Sequence, residues 1–275
     1  MPQRMVTFTT DFGLTDHYVG TMKGVIYSIN PDARIVDICN SVQSYDVLDG
    51  AITIAQAYHY FPSETVNLVV VDPGVGSSRR PLLVTTDRHF FLAPDNGVLS
   101  FVFEREERIS VRHITSEHFF LQPVSQTFHG RDVFAAVAAW MSKGVEAAKF
   151  GDEITDFVRF AAPRPKPIGD HAFKGLVLKV DKFGNLVTNI RELDVPQLFQ
   201  DPTPSFRLVV GKGEITKLKT AYAQGTPGEV FAIVGSMGYL EVATNRGVAA
   251  RTVGADKGSE VGLVLGEAQP APVTS

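Results

Sequence analysis

Residues 66–71 constrain the fold most, because this segment is apolar apart from Asn67 and shows no alternation of polar and apolar side chains. Strands of this kind are buried on both faces of a sheet. The segment runs directly into Asp72 and a glycine-rich turn. In open α/β sheets, residues just beyond the carboxyl ends of such strands line the binding crevice. The pattern therefore predicts a covered sheet with a site after this strand.

The first part of the chain alternates short β-branched or aromatic runs with helical patterns. Strand-like runs fall at 5–10, 33–38 and 66–71, and helical patterns fall at 18–29 and 46–61. A strand pair at 82–87 and 89–97, a strand at 108–114, and helices at 98–106 and 132–144 follow. This order predicts an α/β N-terminal domain with a mostly parallel sheet over residues 1–162.

Beyond residue 162 the character of the chain changes. Residues 163–171 are rich in proline and glycine and are expected to form a linker. Short alternating runs then continue to residue 265, with a hairpin expected around Gly211, Lys212 and Gly213. These runs predict a smaller all-β domain, a barrel or a sandwich, over 172–265. The polar, proline-containing residues 266–275 are expected to be a disordered tail.

Composition excludes several classes of function. The chain has 26 Lys and Arg against 30 Asp and Glu, a net charge of −4, and no basic stripe, so a nucleic-acid partner is not expected. No apolar run is long enough for a leader or a membrane span, which predicts a cytoplasmic protein. Cys39 is the one cysteine, and its apolar surroundings predict a buried strand rather than a nucleophile.

Two carboxylates are candidates for substrate binding near the N-terminus. Asp11 follows the first predicted strand, and Asp16 precedes the first predicted helix. Such carboxylates suit a ribose diol or an ammonium group. Two other interpretations remain open: Asp16 could cap the helix, and Asp11, Asp16 and His17 could bind a metal ion, although their spacing matches no fixed ligand pattern.

A second group of candidates follows the buried strand and a later helix. The turn from Asp72 to Arg80 contains two glycines that allow close approach to a ligand, although such turns are also common structural features. His129 precedes the predicted helix at 132–144, and a helix N-terminus disfavours its charged form. His129 could equally be a structural histidine.

The second domain offers ligand-binding residues of another kind. Phe183 could stack on an aromatic ring, and Asn185 could read the edge of a base, although their FGN segment is also a good turn. Ser236, Tyr239 and Glu241 accompany two glycines that permit close backbone approach.

Taken together, the segments TTDFG, DPGVGSSRR, FHGRD, FGN with TN, and the serine–glycine–LE run resemble the S-adenosyl-L-methionine (SAM) hydroxide adenosyltransferases. This family is related to the SAM-dependent fluorinase and chlorinase. The likeness covers residues from about Met5 to about Leu265, and the segments occur in the family's order and spacing.

The resemblance implies an α/β domain followed by a β-barrel, and a homotrimer with sites at subunit interfaces. It implies that SAM is hydrolysed to adenosine and methionine without a metal or cofactor. The residues matching the family's water-activating triad are Asp72, Arg79 and His129. The residues matching its substrate contacts are Asp11, Asp16, Tyr45, Asp181, Phe183, Asn185, Ser236 and Glu241, and Tyr239 is added as a neighbour in the same run.

Two departures bear on the alternatives. The halogenases replace the triad aspartate and histidine and have a serine where this chain has Gly130, which disfavours halide chemistry. Met237 stands where the fluorinase has an arginine, so the resemblance does not identify the residue that would contact the methionine carboxylate. Halide-dependent SAM cleavage, a SAM- or adenosine-binding sensor without useful turnover, and a metal-dependent phosphoesterase are the rival hypotheses.

Overall fold

The computed structural model describes residues 4–200 and 203–266, and the chain divides into two compact units, Met1–Ala162 and Pro163–Ser275. The strands of the first unit are β1 Met5–Thr10, β2 Arg34–Cys39, β3 Thr65–Val70, β4 Pro81–Thr86, β5 His89–Pro94, β6 Ile109–His113 and β7 Glu153–Ile154. Its α-helices are α1 Tyr18–Ile29, α2 Val47–Ala57, α3 Ser100–Arg105 and α4 Ala136–Ser142, with a π-helical segment, Gly130–Ala135, leading into α4. Short 3-10 helices lie at Tyr58–Tyr60, Glu117–Phe119 and Ala147–Lys149.

The first unit forms one mixed sheet with the strand order β2-β1-β3-β5-β4-β6-β7. The neighbours from β2 to β5 pair in parallel, whereas the pairs β5–β4, β4–β6 and β6–β7 are antiparallel. A prediction of a mostly parallel sheet therefore describes only half of it. Only two residues join β4 to β5, and so short a connection can make only an antiparallel pair.

Strand β3 lies between two apolar clusters, and all six of its residues are buried. Leu68 and Val70 belong to a cluster that includes Met22 of α1 and residues of α4. Val69 and Val71 belong to a second cluster with residues of α2 and α3. This arrangement confirms the expected strand with two buried faces, and it holds the residues that follow β3 firmly in place.

Strand β2 differs from its prediction. It is the terminal strand of the sheet, and its residues are exposed or half-buried rather than buried. Cys39 at its end is half-buried and packs beside the second apolar cluster. The expectation of a buried strand was wrong because an apolar run does not reveal that only one neighbour, β1, covers its edge.

The second unit forms a sheet with the order β12-β11-β16-β9-β10-β15-β14-β13, and β8 adds to β9. Its strands are β8 Lys166–Pro167, β9 Ala172–Val180, β10 Leu186–Arg191, β11 Phe206–Val210, β12 Gly213–Ile215, β13 Leu218–Lys219, β14 Val230–Val234, β15 Tyr239–Thr244 and β16 Glu260–Leu265. The pairing is antiparallel except between β13 and β14.

The hairpin expected at Gly211–Gly213 is confirmed, since β11 and β12 pair antiparallel across that turn. A short helix, α5 Ala249–Val253, was not expected and means that the unit is not purely β. Strand β8 falls within the segment expected to be a linker. Residues 267–275, nearly all of the expected tail, lie outside the described residues. Across residues 4–200 and 203–266, no helix is long and apolar enough to cross a membrane.

Candidate functional site

Asp72, Arg79 and His129 form one hydrogen-bonded chain in the first unit. Arg79 donates from Nε to both carboxylate oxygens of Asp72, at 3.0 and 2.9 Å, and from Nη2 to Oδ2 at 2.5 Å. The same Nη2 lies 2.8 Å from Nδ1 of His129. The Asp72 side chain is only 4% exposed and the Arg79 side chain 8%. A carboxylate removed from water is thus neutralised by one guanidinium, which also contacts the histidine.

The turn that follows β3 sets this geometry. Ser77 Oγ donates to the carbonyl of Gly74 at 2.6 Å and accepts from the Arg79 amide at 3.3 Å. Gly76 has a φ of +77°, and a Cβ there would lie 2.2 Å from the carbonyl oxygen of Gln126. The glycine is therefore required for the turn to pack against the chain just before His129.

The contact with Arg79 defines which ring nitrogen of His129 carries the proton. A guanidinium can only donate, so Nδ1 must accept, and the neutral ring then carries its proton on Nε2. Burial lowers the pKa of His129, and the nearby charge of Arg79 lowers it further. This agrees with the expectation of a neutral histidine, although burial and Arg79 are the leading causes rather than the helix terminus. His129 therefore presents an Nε2–H donor.

One nitrogen of the Arg79 guanidinium differs from the other two in its hydrogen bonding. Nη1 is buried and has no hydrogen-bond partner among the described residues. The guanidinium also lies over the ring of Phe134, with Cζ 5.6 Å from the ring centre. Because an unsatisfied buried N–H of a charged group is costly, this donor is well suited to a bound water or substrate atom.

Asp11 extends the candidate site along the same edge of the sheet. It directly follows β1, the parallel neighbour of β3, and its Oδ2 accepts from the backbone N–H of Tyr45 at 2.8 Å. Burial raises the pKa of Asp11, and the charge of Asp72 contributes in the same direction. The structure thus brings Asp11 close to Asp72 and beside Tyr45, whose own side chain is exposed.

Asp16 lies apart from these contacts, on the exposed approach to α1. The capping position of α1 is His17, and no side chain caps the helix there. The alternative in which Asp16 caps this helix is therefore wrong. The metal alternative is not supported either, because no three His, Cys, Asp or Glu side chains are placed to share a metal ion within residues 4–200 and 203–266.

The second unit contains a cavity of about 720 Å³. Five of the residues expected to contact substrate line it: Asp181, Phe183, Asn185, Ser236 and Glu241. Sequence reasoning missed these further lining residues: Lys179, Val187, Tyr222, Thr244, Arg246 and Gly247. Tyr239, at the start of β15, is outside the lining set. The side chains from β9, β10 and β15 meet here because these strands are neighbours in the sheet.

The turn between β9 and β10 is held by Asp181. Its Oδ1 accepts from the amides of Phe183 and Asn185, at 2.9 and 2.8 Å, and its Oδ2 accepts from Nδ2 of Asn185 at 2.9 Å. The side chain of Asn185 also carries an amide oxygen, which can act as an acceptor. Phe183 is 76% exposed, so the turn presents an aromatic face at the rim of the cavity.

Glu241 is another polar residue that lines the cavity. It is buried and accepts a hydrogen bond from the hydroxyl of Tyr222 at 3.1 Å. Burial raises the pKa of Glu241, and the charge of Asp181 raises it further. The hydrogen bond from Tyr222 lowers this pKa but does not cancel the increase. Burial and Glu241 raise the pKa of Tyr222 to about 12. No local pattern pointed to Tyr222, which lies 19 residues before its partner.

Comparison with protein families gives a match over most of the chain. Residues 6–151 match the family model described as the SAM hydroxide adenosyltransferase N-terminal domain, and residues 175–262 match the corresponding C-terminal domain.

Individual proteins are similar over nearly their full length. The chain is 34% identical to an (R)-S-adenosyl-L-methionine hydrolase of Salinispora tropica, covering 96% of this chain and 99% of that one. It is 27% identical to a fluorinase of Nocardia brasiliensis, covering 88% and 90%. Among solved structures, an uncharacterized conserved protein of Thermotoga maritima superposes with a TM-score of 0.87 at 37% identity, covering 94% and 100%.

Proposed function

The chain belongs to the SAM hydroxide adenosyltransferase family, and we propose that it hydrolyses S-adenosyl-L-methionine to adenosine and L-methionine. The observation that carries the proposal is the buried chain of Asp72, Arg79 and His129, in a protein whose relatives are named (R)-S-adenosyl-L-methionine hydrolases. These relatives resemble it over both units.

The reaction that we propose is a displacement at the C5′ carbon of SAM. The oxygen of a water molecule forms a bond to C5′, the C5′–sulfur bond breaks, and its electron pair goes to sulfur. Methionine leaves as a neutral thioether, so the leaving group needs no acid. The water loses one proton, so the task of the site is to position this water and take its proton.

The hydrogen bonds favour Asp72 as the proton acceptor. Nδ1 of His129 already accepts from Arg79, which leaves Nε2–H as a donor that can hold the attacking oxygen but cannot take its proton. Arg79 can donate from Nη1 to the same oxygen and stabilise its growing negative charge. Asp72 is the remaining acceptor of the three. The proton then passes from Asp72 to solvent.

The remaining residues are proposed as substrate contacts. Asp11 would accept from the ribose hydroxyls with Tyr45 beside it, and Asp16 would contact the methionine ammonium. Phe183 would stack on adenine, and Asn185 would accept from its amino group. Asp181, Ser236 and Glu241 would make further contacts to the adenosine and methionine parts of SAM. Tyr239 would support the segment that contains Ser236 and Glu241.

The family resemblance also underlies three further proposals. The second unit would close as a β-barrel, the protein would be a homotrimer with its sites at subunit interfaces, and it would act in the cytoplasm. No metal or cofactor is required by the displacement. Because Asp72 and His129 are present and Gly130 replaces the halide-contacting serine, hydrolysis is preferred to halide-dependent cleavage.

The test is incubation of the purified protein with SAM, followed by quantification of adenosine and methionine. Asp72→Asn should bind SAM but lose about 10²- to 10⁴-fold in turnover, the range of a general base. Asp95→Asn is the matched control, because Asp95 is equally buried and accepts from the adjacent arginine, Arg80, at 2.7 Å. That change should lower stability and leave turnover unchanged.

Other outcomes would favour the rivals. A halogenated nucleoside formed in the presence of chloride would support the halide reaction. Tight SAM binding without products in the unaltered protein would support a sensor, and loss of activity in EDTA would support a metal-dependent enzyme. Equal losses in Asp72→Asn and Asp95→Asn would contradict the role assigned to Asp72.

A further inference from the structure

Thr244 carries a buried hydroxyl at the wall of the cavity in the second unit. The residue is only 5% exposed and lines the cavity of the second unit. Its Oγ1 has no hydrogen-bond partner within residues 4–200 and 203–266. The residue ends β15, three positions after Glu241, and neither the motifs nor the sequence patterns single it out.

Such a hydroxyl is costly to the free protein. A buried polar group without a partner costs about 1–3 kcal/mol relative to one that is satisfied. Thr188 of the neighbouring strand β10 shows the usual solution, because its buried Oγ1 donates to the carbonyl of Leu240 at 2.6 Å. A valine at position 244 would fill the same volume without this cost. Because this hydroxyl lies at the wall of the cavity, a bound ligand can supply the missing partner.

The position of Thr244 indicates which part of the ligand it meets. A Cβ on Gly247 would lie 2.7 Å from Thr244 Oγ1, so the hydroxyl packs against the backbone of Gly247. The residues that follow Gly247 support the Phe183–Asn185 turn: the Ala250 amide donates to the carbonyl of Gly184 at 2.9 Å, and a Cβ on Gly184 would lie 2.5 Å from Val248. The hydroxyl is therefore on the side of the cavity where Phe183 and Asn185 lie.

We propose that Thr244 is a base-binding residue whose hydroxyl donates a hydrogen bond to a ring nitrogen of adenine. The inference rests on the proposed function, in which Phe183 and Asn185 receive the base. Asp181 accepts one of the two Nδ2 hydrogens of Asn185, and the amide oxygen of Asn185 offers an acceptor that suits the exocyclic amino group. The ring nitrogens of adenine are acceptors and need a donor, which the Thr244 hydroxyl provides.

The first test compares Thr244→Val with the unaltered full-length protein by calorimetric titration with adenosine. The affinity should fall roughly tenfold, because a ring nitrogen loses its donor. The unfolding midpoint of the free protein should stay equal or rise, because the substitution removes an unsatisfied hydroxyl. Thr188→Val is the matched control: its midpoint should fall, because the carbonyl of Leu240 loses its donor, while adenosine affinity is retained.

The second test uses 1-deaza-, 3-deaza- and 7-deazaadenosine, each of which replaces one ring nitrogen with CH. One of these analogues should bind the unaltered protein roughly tenfold more weakly than adenosine does. The same analogue should bind Thr244→Val as tightly as adenosine binds that variant. Unchanged adenosine affinity in Thr244→Val, or a loss that is the same for adenosine and all three analogues, would overturn this inference while leaving hydrolysis intact. Failure of the unaltered protein to bind or cleave SAM would instead overturn the proposed function, and this inference with it.

Discussion

Asp72 and Asp95 are both buried carboxylates that accept hydrogen bonds from neighbouring arginines, and they differ in what surrounds the pair. Asp95 also accepts from the amide of Val158, and its partner Arg80 reaches Asp156 as well, so each guanidinium nitrogen of Arg80 has a hydrogen-bond partner. Arg79, the partner of Asp72, contacts His129, and its Nη1 has no hydrogen-bond partner in the part of the chain that the structure describes. An Asp–Arg pair with an N–H donor that lacks a partner is suited to binding a ligand, whereas a pair whose groups are all hydrogen-bonded within the protein stabilises the fold.

The state of His129 predicts the pH dependence of activity. Burial and Arg79 lower its pKa from the ordinary value of 6.5, so the ring is neutral at and above that pH. Protonation at Nδ1 would break the contact with Arg79. We therefore expect kcat/KM to be constant with respect to this group from pH 6.5 upwards and to fall only as the pH drops through the lowered pKa.

This profile can be measured by following adenosine formation between pH 4.5 and 8. A decline that begins above pH 6.5 would contradict the assignment. His113 also has a lowered pKa but lies outside the candidate site, so His113→Gln should leave the acidic decline unchanged.

His89 predicts a pH effect on stability rather than on activity. It is buried against Tyr58 and Phe91, and neither ring nitrogen has a hydrogen-bond partner among the described residues. Burial lowers its pKa from 6.5. As the pH falls below 6.5, the unfolded chain binds a proton that the folded protein does not, so the stability contributed above pH 6.5 is progressively lost.

His89→Leu removes this proton uptake. The variant's unfolding free energy, measured by urea titration, should depend less on pH between 5 and 7 than that of the unaltered protein. An unchanged pH dependence would show that other groups cause it.

Elements differ in how strictly they need glycine. The turn after β3 needs it at position 76, where a side chain would collide with the carbonyl of Gln126. Helix α1 does not need it at position 24, where an added Cβ meets nothing within 4 Å. The turn aligns Asp72 with Arg79, so its shape is part of the candidate site, whereas the exposed face of α1 is not.

Gly76→Ala and Gly24→Ala therefore form a matched pair. Gly76→Ala should lower stability by at least about 1–2 kcal/mol, because of its positive φ, and should reduce turnover by displacing the turn. Gly24→Ala should raise stability by about 0.5–1 kcal/mol with turnover unchanged, since alanine favours a helix interior. Thermal unfolding and SAM cleavage measured on both variants would check this, and full activity in Gly76→Ala would contradict it.

For the molecule as a whole, the candidate residues fall into two compact units. Asp72, Arg79, His129 and Asp11 belong to the first, and the cavity with Phe183 and Asn185 belongs to the second. Neither set alone contains both a means of activating water and a base-binding cavity. The proposed homotrimer with interface sites would combine them.

If the sites form only in the trimer, specific activity should fall on dilution as the oligomer dissociates. Sedimentation at the same protein concentrations gives the oligomeric state for comparison. A monomer with full specific activity would contradict the interface proposal.

Local sequence patterns determined a large part of this protein. The bounds of α1, the doubly buried β3 and the hairpin of β11 and β12 follow from periodicity and turn chemistry, because these depend on residues close together in the chain. Only the tertiary structure decided that β2 is a terminal strand and that the first sheet is mixed, because these depend on which strands become neighbours. The same holds for the pairing of Tyr222 with Glu241, the contact of Arg79 with His129 across 50 residues, and the unsatisfied hydroxyl of Thr244. Packing between distant segments creates these contacts, and no local pattern encodes them.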